Sequence, residues 1–176
     1  MRALQRFSGW IDAINGAVGR FTAWVTLGLV AVVFIDVVMR YLFQKSFVFT
    51  QELEWHLFAF IFLIGAGYTL LCDGHVRVDV LYQNWSPRAK AWLNLIGVVT
   101  ALIPGCLMII VTSWHFVMRA WAVGEGSPDP GGIPYRFIVK GLIPLGFGLL
   151  LLQGVSMGIH SLLQILGIEK PSEAGR

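Results

Sequence analysis

Four stretches of this chain contain no Asp, Glu, Lys or Arg: Phe21–Ile35, Trp55–Cys72, Ala91–Met118 and Gly141–Ile168, with 15, 18, 28 and 28 residues. Together they make up half of the 176 residues. A helix needs about 20 apolar residues to cross about 30 Å of hydrocarbon. The first stretch reaches that length only by admitting Asp36. Composition agrees, with 56% hydrophobic and 13% charged residues and a mean hydropathy of +0.71. Soluble domains carry about 25% charged residues. A disordered chain and a disulfide scaffold are excluded, and a water-soluble globule does not fit. The expected fold is an all-α integral membrane protein with four transmembrane helices, near 21–42, 52–72, 88–121 and 135–165, in one membrane domain.

The flanks refine this picture. Leu4, Phe7, Ile11, Ile14 and Val18 recur at helical spacing, while Arg2, Arg6, Asp12 and Arg20 lie mostly off that stripe. The pattern predicts an amphipathic helix over 1–20, lying in the membrane interface before the first span. Asp12, Asn15 and Arg20 interrupt any signal-peptide core. Thr50 is the expected N-cap of the second span, and Gly74 its stop. Gly65-Ala66-Gly67 offers a smooth patch for close helix packing. Ser86-Pro87 is a cap and first-turn pair. The helix that follows would exceed about 50 Å, and Pro104-Gly105 predicts a bend in it. Gly124–Gly132 reads as a loop, Pro144, Gly146 and Gly148 permit close neighbours in the fourth span, and 166–176 reads as a flexible tail.

The connections are too short for a soluble catalytic or nucleotide-binding domain, and no Gly-rich phosphate loop occurs. The chain is therefore not expected to be an enzyme. Net charge is +3, set by Lys and Arg beside apolar spans. That suits anionic lipid headgroups rather than nucleic acid. Cys72 and Cys106 fall at different depths, which argues against a disulfide. Eight Lys and Arg lie on the side of the termini and five on the other. The bias predicts cytoplasmic termini, with the loops at 43–50 and 119–136 facing outward.

Several residues are candidates for function. Asp36 and Arg40 share a helical face and read either as a contact to another helix or subunit, or as a self-satisfied pair. Glu52 and Glu54 read either as acids favoured by a helix N-terminus or, with His56, as a polar cluster that docks a partner. His75, Arg77 and Asp79 fall in an interfacial connector, where His75 and Asp79 would face each other on a helix. His56 and His115, at one depth on different spans, raise the alternative of a haem-binding anchor of a respiratory enzyme. Transport by this chain alone would need a deep carboxylate. The sole candidate, Asp36, is already neutralised by Arg40. What remains is a membrane helper that buries against a larger partner, with no cofactor expected.

At this point a family resemblance emerges. Asp36-Val37-Val38-Met39-Arg40-Tyr41, Gln51-Glu52-Leu53-Glu54, Gly65-Ala66-Gly67-Tyr68 and Asp73-Gly74-His75-Val76-Arg77-Val78-Asp79-Val80 resemble the small membrane subunit of tripartite ATP-independent periplasmic (TRAP) transporters, the Q-type small permease. Gly126–Gly132 and Leu142-Ile143-Pro144-Leu145-Gly146 resemble the same family, and the likeness covers about 25–155. The resemblance implies a sodium-driven importer of organic acids in the bacterial inner membrane. A large M subunit would carry the substrate and move as an elevator, and a soluble periplasmic P subunit would deliver the cargo. The small subunit would pack against the fixed part of M. By this resemblance Arg40 and Glu52 couple the first two spans to each other or to M, and His75, Arg77 and Asp79 order the connector. Glu125 and Asp129 lie where a P subunit could dock. Substrate identity is set by M and P.

Overall fold

The computed structural model describes residues 2–74 and 85–168. They form four long helices: α1 (Arg2–Leu42), α2 (Val48–Leu71), α3 (Pro87–Ala122) and α4 (Phe137–Ile165). All four are long and apolar enough to cross a membrane, and no strand occurs among the described residues. This is the all-α, four-span architecture expected from the charge-free stretches. Helix α4 is the hub. It packs on α1, α2 and α3, whereas α1 adds an interface with α2 and α3 rests chiefly on α4.

The interior mixes small and polar residues with a few aliphatic ones, among them Ile11, Ile64, Leu70, Val98 and Leu163. Ser8, Ile11, Asn15, Gly16, Gly19 and Thr22 form the buried face of α1, and Gly146, Gln153, Gly154, Ser156, Gly158 and Ser161 form much of that of α4. Most bulky residues point the other way: Trp24, Phe34, Phe62, Met108 and Val111 are all exposed on the outside of the four helices. Apolar side chains gain nothing by leaving lipid for a helix interface, so close backbone approach decides which face turns inward. Gly146 shows this directly. A Cβ there would stand 2.5 Å from the Leu63 carbonyl oxygen of α2. Gly67, in the expected smooth patch, lies so close to Asn15 of α1 that a Cβ would overlap its amide oxygen. Gly148, by contrast, has nothing within 4 Å of its Cβ position.

Residues 2–42 form one uninterrupted helix of 41 residues, with no break where the N-terminal segment meets the first span. At about 1.5 Å per residue it is about 60 Å long, twice the hydrocarbon thickness. Of the apolar stripe at its start, Ile11 is fully buried, whereas Leu4 and Phe7 stay exposed. The residues it turns to α4 are largely the polar neighbours of that stripe.

Two termini differ from expectation. Helix α2 begins at Val48, and its N-cap is Phe47, which supplies no side-chain hydrogen bond, so Thr50 sits inside the first turn. At the other end the left-handed residue is Asp73, with φ of 58°, rather than Gly74. The Asp73 amide donates to the Leu70 carbonyl at 3.2 Å and the Gly74 amide to that of Thr69 at 2.9 Å. Both bonds belong to a Schellman stop, in which Asp tolerates the position that glycine usually takes. Helix α3 ends the same way with Gly124, φ 58°, in that place. Its start follows expectation, since the Ser86 hydroxyl accepts the Ala89 amide at 3.3 Å and Pro87 opens the first turn.

The irregularity in α3 lies one turn before the expected bend. Val98–Leu102 winds as a π-helical turn, and Pro104 follows it. Proline has no N–H for the carbonyl four residues back, and its ring crowds that carbonyl. A widened turn relieves the clash within the helix.

Candidate functional site

Among the described residues two polar clusters form, one toward each end of the four helices. At the end bearing the 43–47 and 123–136 connections, Glu52 of α2 is buried in spite of its charge. One of its carboxylate oxygens accepts the Ser127 hydroxyl, and the other accepts the Ile133 backbone N–H. The Ser127 oxygen also accepts the Asp129 amide at 3.1 Å. Gly132 makes the approach possible, since a Cβ there would come within 2.6 Å of Glu52 Oε2. Glu52 therefore serves the loop between α3 and α4 rather than the amides of its own helix. A charged acceptor shared by two donors is among the stronger hydrogen-bond arrangements a protein makes.

Further contacts fasten the same loop. Glu125 pairs with Lys140 of α4, and its carbonyl accepts the Arg136 amide at 2.8 Å. The Lys140 ammonium stands 4.0 Å from the centre of the Phe116 ring of α3, and the Arg136 guanidinium 5.4 Å from the Trp55 ring of α2. Trp121 and Phe137 close the junction with ring centres 4.8 Å apart. Loop, α2, α3 and α4 are thereby tied together. Between the loop and the start of α2 lies a cleft of about 320 Å³, lined by Val48, Gln51, Glu52, Trp55, Pro128, Asp129 and Arg136.

On α1, Asp36 is buried and pairs with Arg40 one turn on, whose side chain is half exposed. At the opposite end, Asp12 receives hydrogen bonds from α4. Gln153 Nε2 donates to it at 2.8 Å and Ser156 Oγ at 2.7 Å, and His160 Nε2 lies 3.1 Å away. This cluster fastens the first turns of α1 to the hub. It was missed in the sequence, although Gln153, Ser156 and His160 are spaced to share one face of a charge-free span, and that is its signal.

The expected grouping of Glu52, Glu54 and His56 is split. His56 Nδ1 lies 2.6 Å from the Glu52 carbonyl oxygen, and its ring stacks beside Trp55. Glu54 joins neither: its Oε1 is fully shielded and accepts no hydrogen bond. The other candidate haem ligand, His115, is exposed on α3; α2 and α3 each pack on α4 rather than on each other. Among the described residues no three His, Cys, Asp or Glu side chains group as a metal site. Glu125 is held by Lys140, whereas Asp129 is exposed. His75, Arg77 and Asp79 lie outside the described residues.

The model of the DctQ component of tripartite ATP-independent periplasmic transporters matches residues 29–164. The chain belongs to the DctQ family. It is similar to the C4-dicarboxylate TRAP transporter small permease protein DctQ of Vibrio cholerae, with 26% identity over 161 residues, covering 76% of this chain and 69% of that one. A Haemophilus influenzae protein, provisionally named a TRAP transporter small permease protein, is 32% identical over 145 residues, covering 81% of this chain and 86% of its own length. A DctQ small permease of Pseudomonas aeruginosa is 30% identical over 114 residues, covering 58% and 52%. No solved structure gives a significant match. As a DctQ protein the chain is a component of a membrane transporter, multi-pass by its four spans. The family match takes in Asp36, Arg40, Glu52, Glu54, Glu125 and Asp129, and it leaves Asp12 outside.

Proposed function

We propose that this DctQ protein is the non-transporting brace of its complex. It packs in the bilayer against a large multi-span M subunit, which holds the substrate and sodium and moves as an elevator, while a soluble P subunit delivers organic acids. The observation that carries this reading is the inverted construction of the four helices. Small and polar side chains hold much of the inside of α1 and α4, and most of the bulky apolar ones cover the outside. Such a body offers broad apolar faces to a neighbour. One such face is on α3, which rests chiefly on α4 and leaves Leu107, Met108, Val111 and Trp114 uncovered. The charges of Asp12, Glu52 and Glu125 are engaged in contacts between elements of this chain, and that of Asp36 is paired within α1.

The excess of Lys and Arg on the side of the termini supports cytoplasmic termini in the bacterial inner membrane. The clamped loop then faces the periplasm. Asp129, exposed upon it, is better placed to meet a P subunit than Glu125, which Lys140 already holds.

The test is co-purification followed by reconstitution. A tagged chain is expected to retain a much larger polytopic protein, and sodium-driven uptake in proteoliposomes is expected only with both present. Uptake by this chain alone would end the proposal.

A further inference from the structure

Inside hydrocarbon a backbone carbonyl freed from its helix has no water to turn to, and it must meet another donor. Helix α3 frees one. In its π turn the Ile103 amide donates to the Val98 carbonyl, five residues back, instead of to that of Val99. Residue 104, next in line to serve Val99, is a proline and has no N–H. The Val99 carbonyl is thus left without an amide. It lies in the charge-free stretch Ala91–Met118, about 12 Å from the start of that stretch. Pro144 interrupts the amides of α4 as well, but the carbonyl it frees is that of Lys140, in the first turn, where a charged side chain marks the interface.

A Ser or Thr side chain or a neighbouring helix commonly satisfies such a group. Neither does so here. The adjacent hydroxyl, that of Thr100, donates to the Ile96 carbonyl at 2.7 Å. Helix α4 meets the π turn through two glycines. A Cβ at Gly154 would stand 2.3 Å from Leu102 Cδ2, and one at Gly158 would stand 3.5 Å from Val98 Cγ1. Glycine brings no side-chain donor. The opposite side of the turn is open. Val99 is 56% exposed, Thr100, Ala101 and Pro104 are exposed too, and nothing lies within 4 Å of the position a Gly105 Cβ would take. This sets the spot apart from the other uncovered surface of the helices, because it holds an acceptor that an approaching helix can reach and a lipid tail cannot satisfy.

We infer that the π turn of α3 is an intersubunit contact, at which a helix of the large membrane subunit donates a side-chain N–H or O–H to the Val99 carbonyl. The donor is a neutral side chain of the Ser, Thr, Asn, Gln or Trp kind, since a carbonyl has no net charge to offset a cation at this depth. The inference rests on the reading of this chain as the brace of such a subunit, and it names a contact that the reading leaves open.

The experiment compares wild type with Pro104→Ala, which returns the missing amide and lets the chain satisfy its own carbonyl. Retention of the large subunit by the tagged variant is expected to fall about threefold to tenfold, the effect of one interhelical hydrogen bond in a bilayer. The thermal midpoint of the isolated variant is expected to equal that of wild type or to exceed it. Labelling with carbonyl carbon-13 Val and nitrogen-15 Thr selects the Val-Thr pairs at 25–26, 99–100 and 111–112. The Val99 carbonyl resonance is expected to move downfield when the large subunit binds. Unchanged retention by Pro104→Ala would overturn the inference and leave the brace intact. So would a midpoint that falls together with retention, because the proline would then support the fold itself. Lost retention without a Val99 shift would assign the contact to the shape of α3 rather than to the hydrogen bond, and would overturn it as well. A wild-type chain that retains no large subunit would remove the brace reading and this contact with it.

Discussion

The carboxylate of Glu52, in the second turn of α2, accepts the hydroxyl of Ser127, 75 residues further along the chain. That bond and its companion to the Ile133 amide bind the loop after α3 to a helix that the loop does not adjoin in sequence. The loop is thus a fixed surface, and the fixing acid is one that a helix-dipole argument alone would assign to α2.

Replacing Glu52 with Ala therefore frees the loop before it disturbs the spans. Hydrogen exchange at the Ile133 amide is expected to speed up by about tenfold or more, with the amides in the middle of α4 unchanged. Equal acceleration at both places would show that Glu52 supports the whole bundle.

Asp36 and Arg40 behave as a unit. Arg40→Ala leaves a buried carboxylate without its cation, and a lower thermal midpoint and weaker assembly are expected. Replacing both with Leu is expected to recover most of the midpoint, because the pair is then exchanged for apolar surface. A double variant as weak as the single one would contradict this.

Two glycines of α4 separate close packing from mere tolerance. Gly146→Ala pushes a methyl group against the Leu63 backbone and is expected to cost about 1–3 kcal/mol. Gly148→Ala meets open space and is expected to be neutral or stabilising by up to about 1 kcal/mol. Thermal unfolding in detergent compares them directly.

Asp12→Ala removes the acceptor for Gln153 and Ser156 and is expected to cost about 2–3 kcal/mol. A cysteine placed at Ser8, buried against α4, is expected to become reactive toward thiol reagents in that background. Unchanged protection there would mean that packing alone holds α1 to the hub.

Much of this architecture is legible in one dimension because a bilayer asks little beyond length and apolarity. The Ser86-Pro87 start of α3 is local as well, and it forms where its residues dictate. The π turn shows the limit: Pro104 announces a disturbance, but the helix absorbs it in the preceding residues, where the freed carbonyl lies. The Asp12 cluster went unread because its acid and its partners come from opposite ends of the chain.

Sequence by itself determined four apolar spans and the family, since hydrocarbon thickness and motif order are properties of the linear chain. Only the tertiary structure decided which helix is the hub, which glycines let backbones touch, and which acids are satisfied. Glu52 and Glu54 are two residues apart and chemically identical, yet one is clamped to a distant loop and the other lacks a donor. A helix turns about 100° per residue, so neighbours in sequence face different neighbours in space, and partners, not composition, set what each carboxylate does.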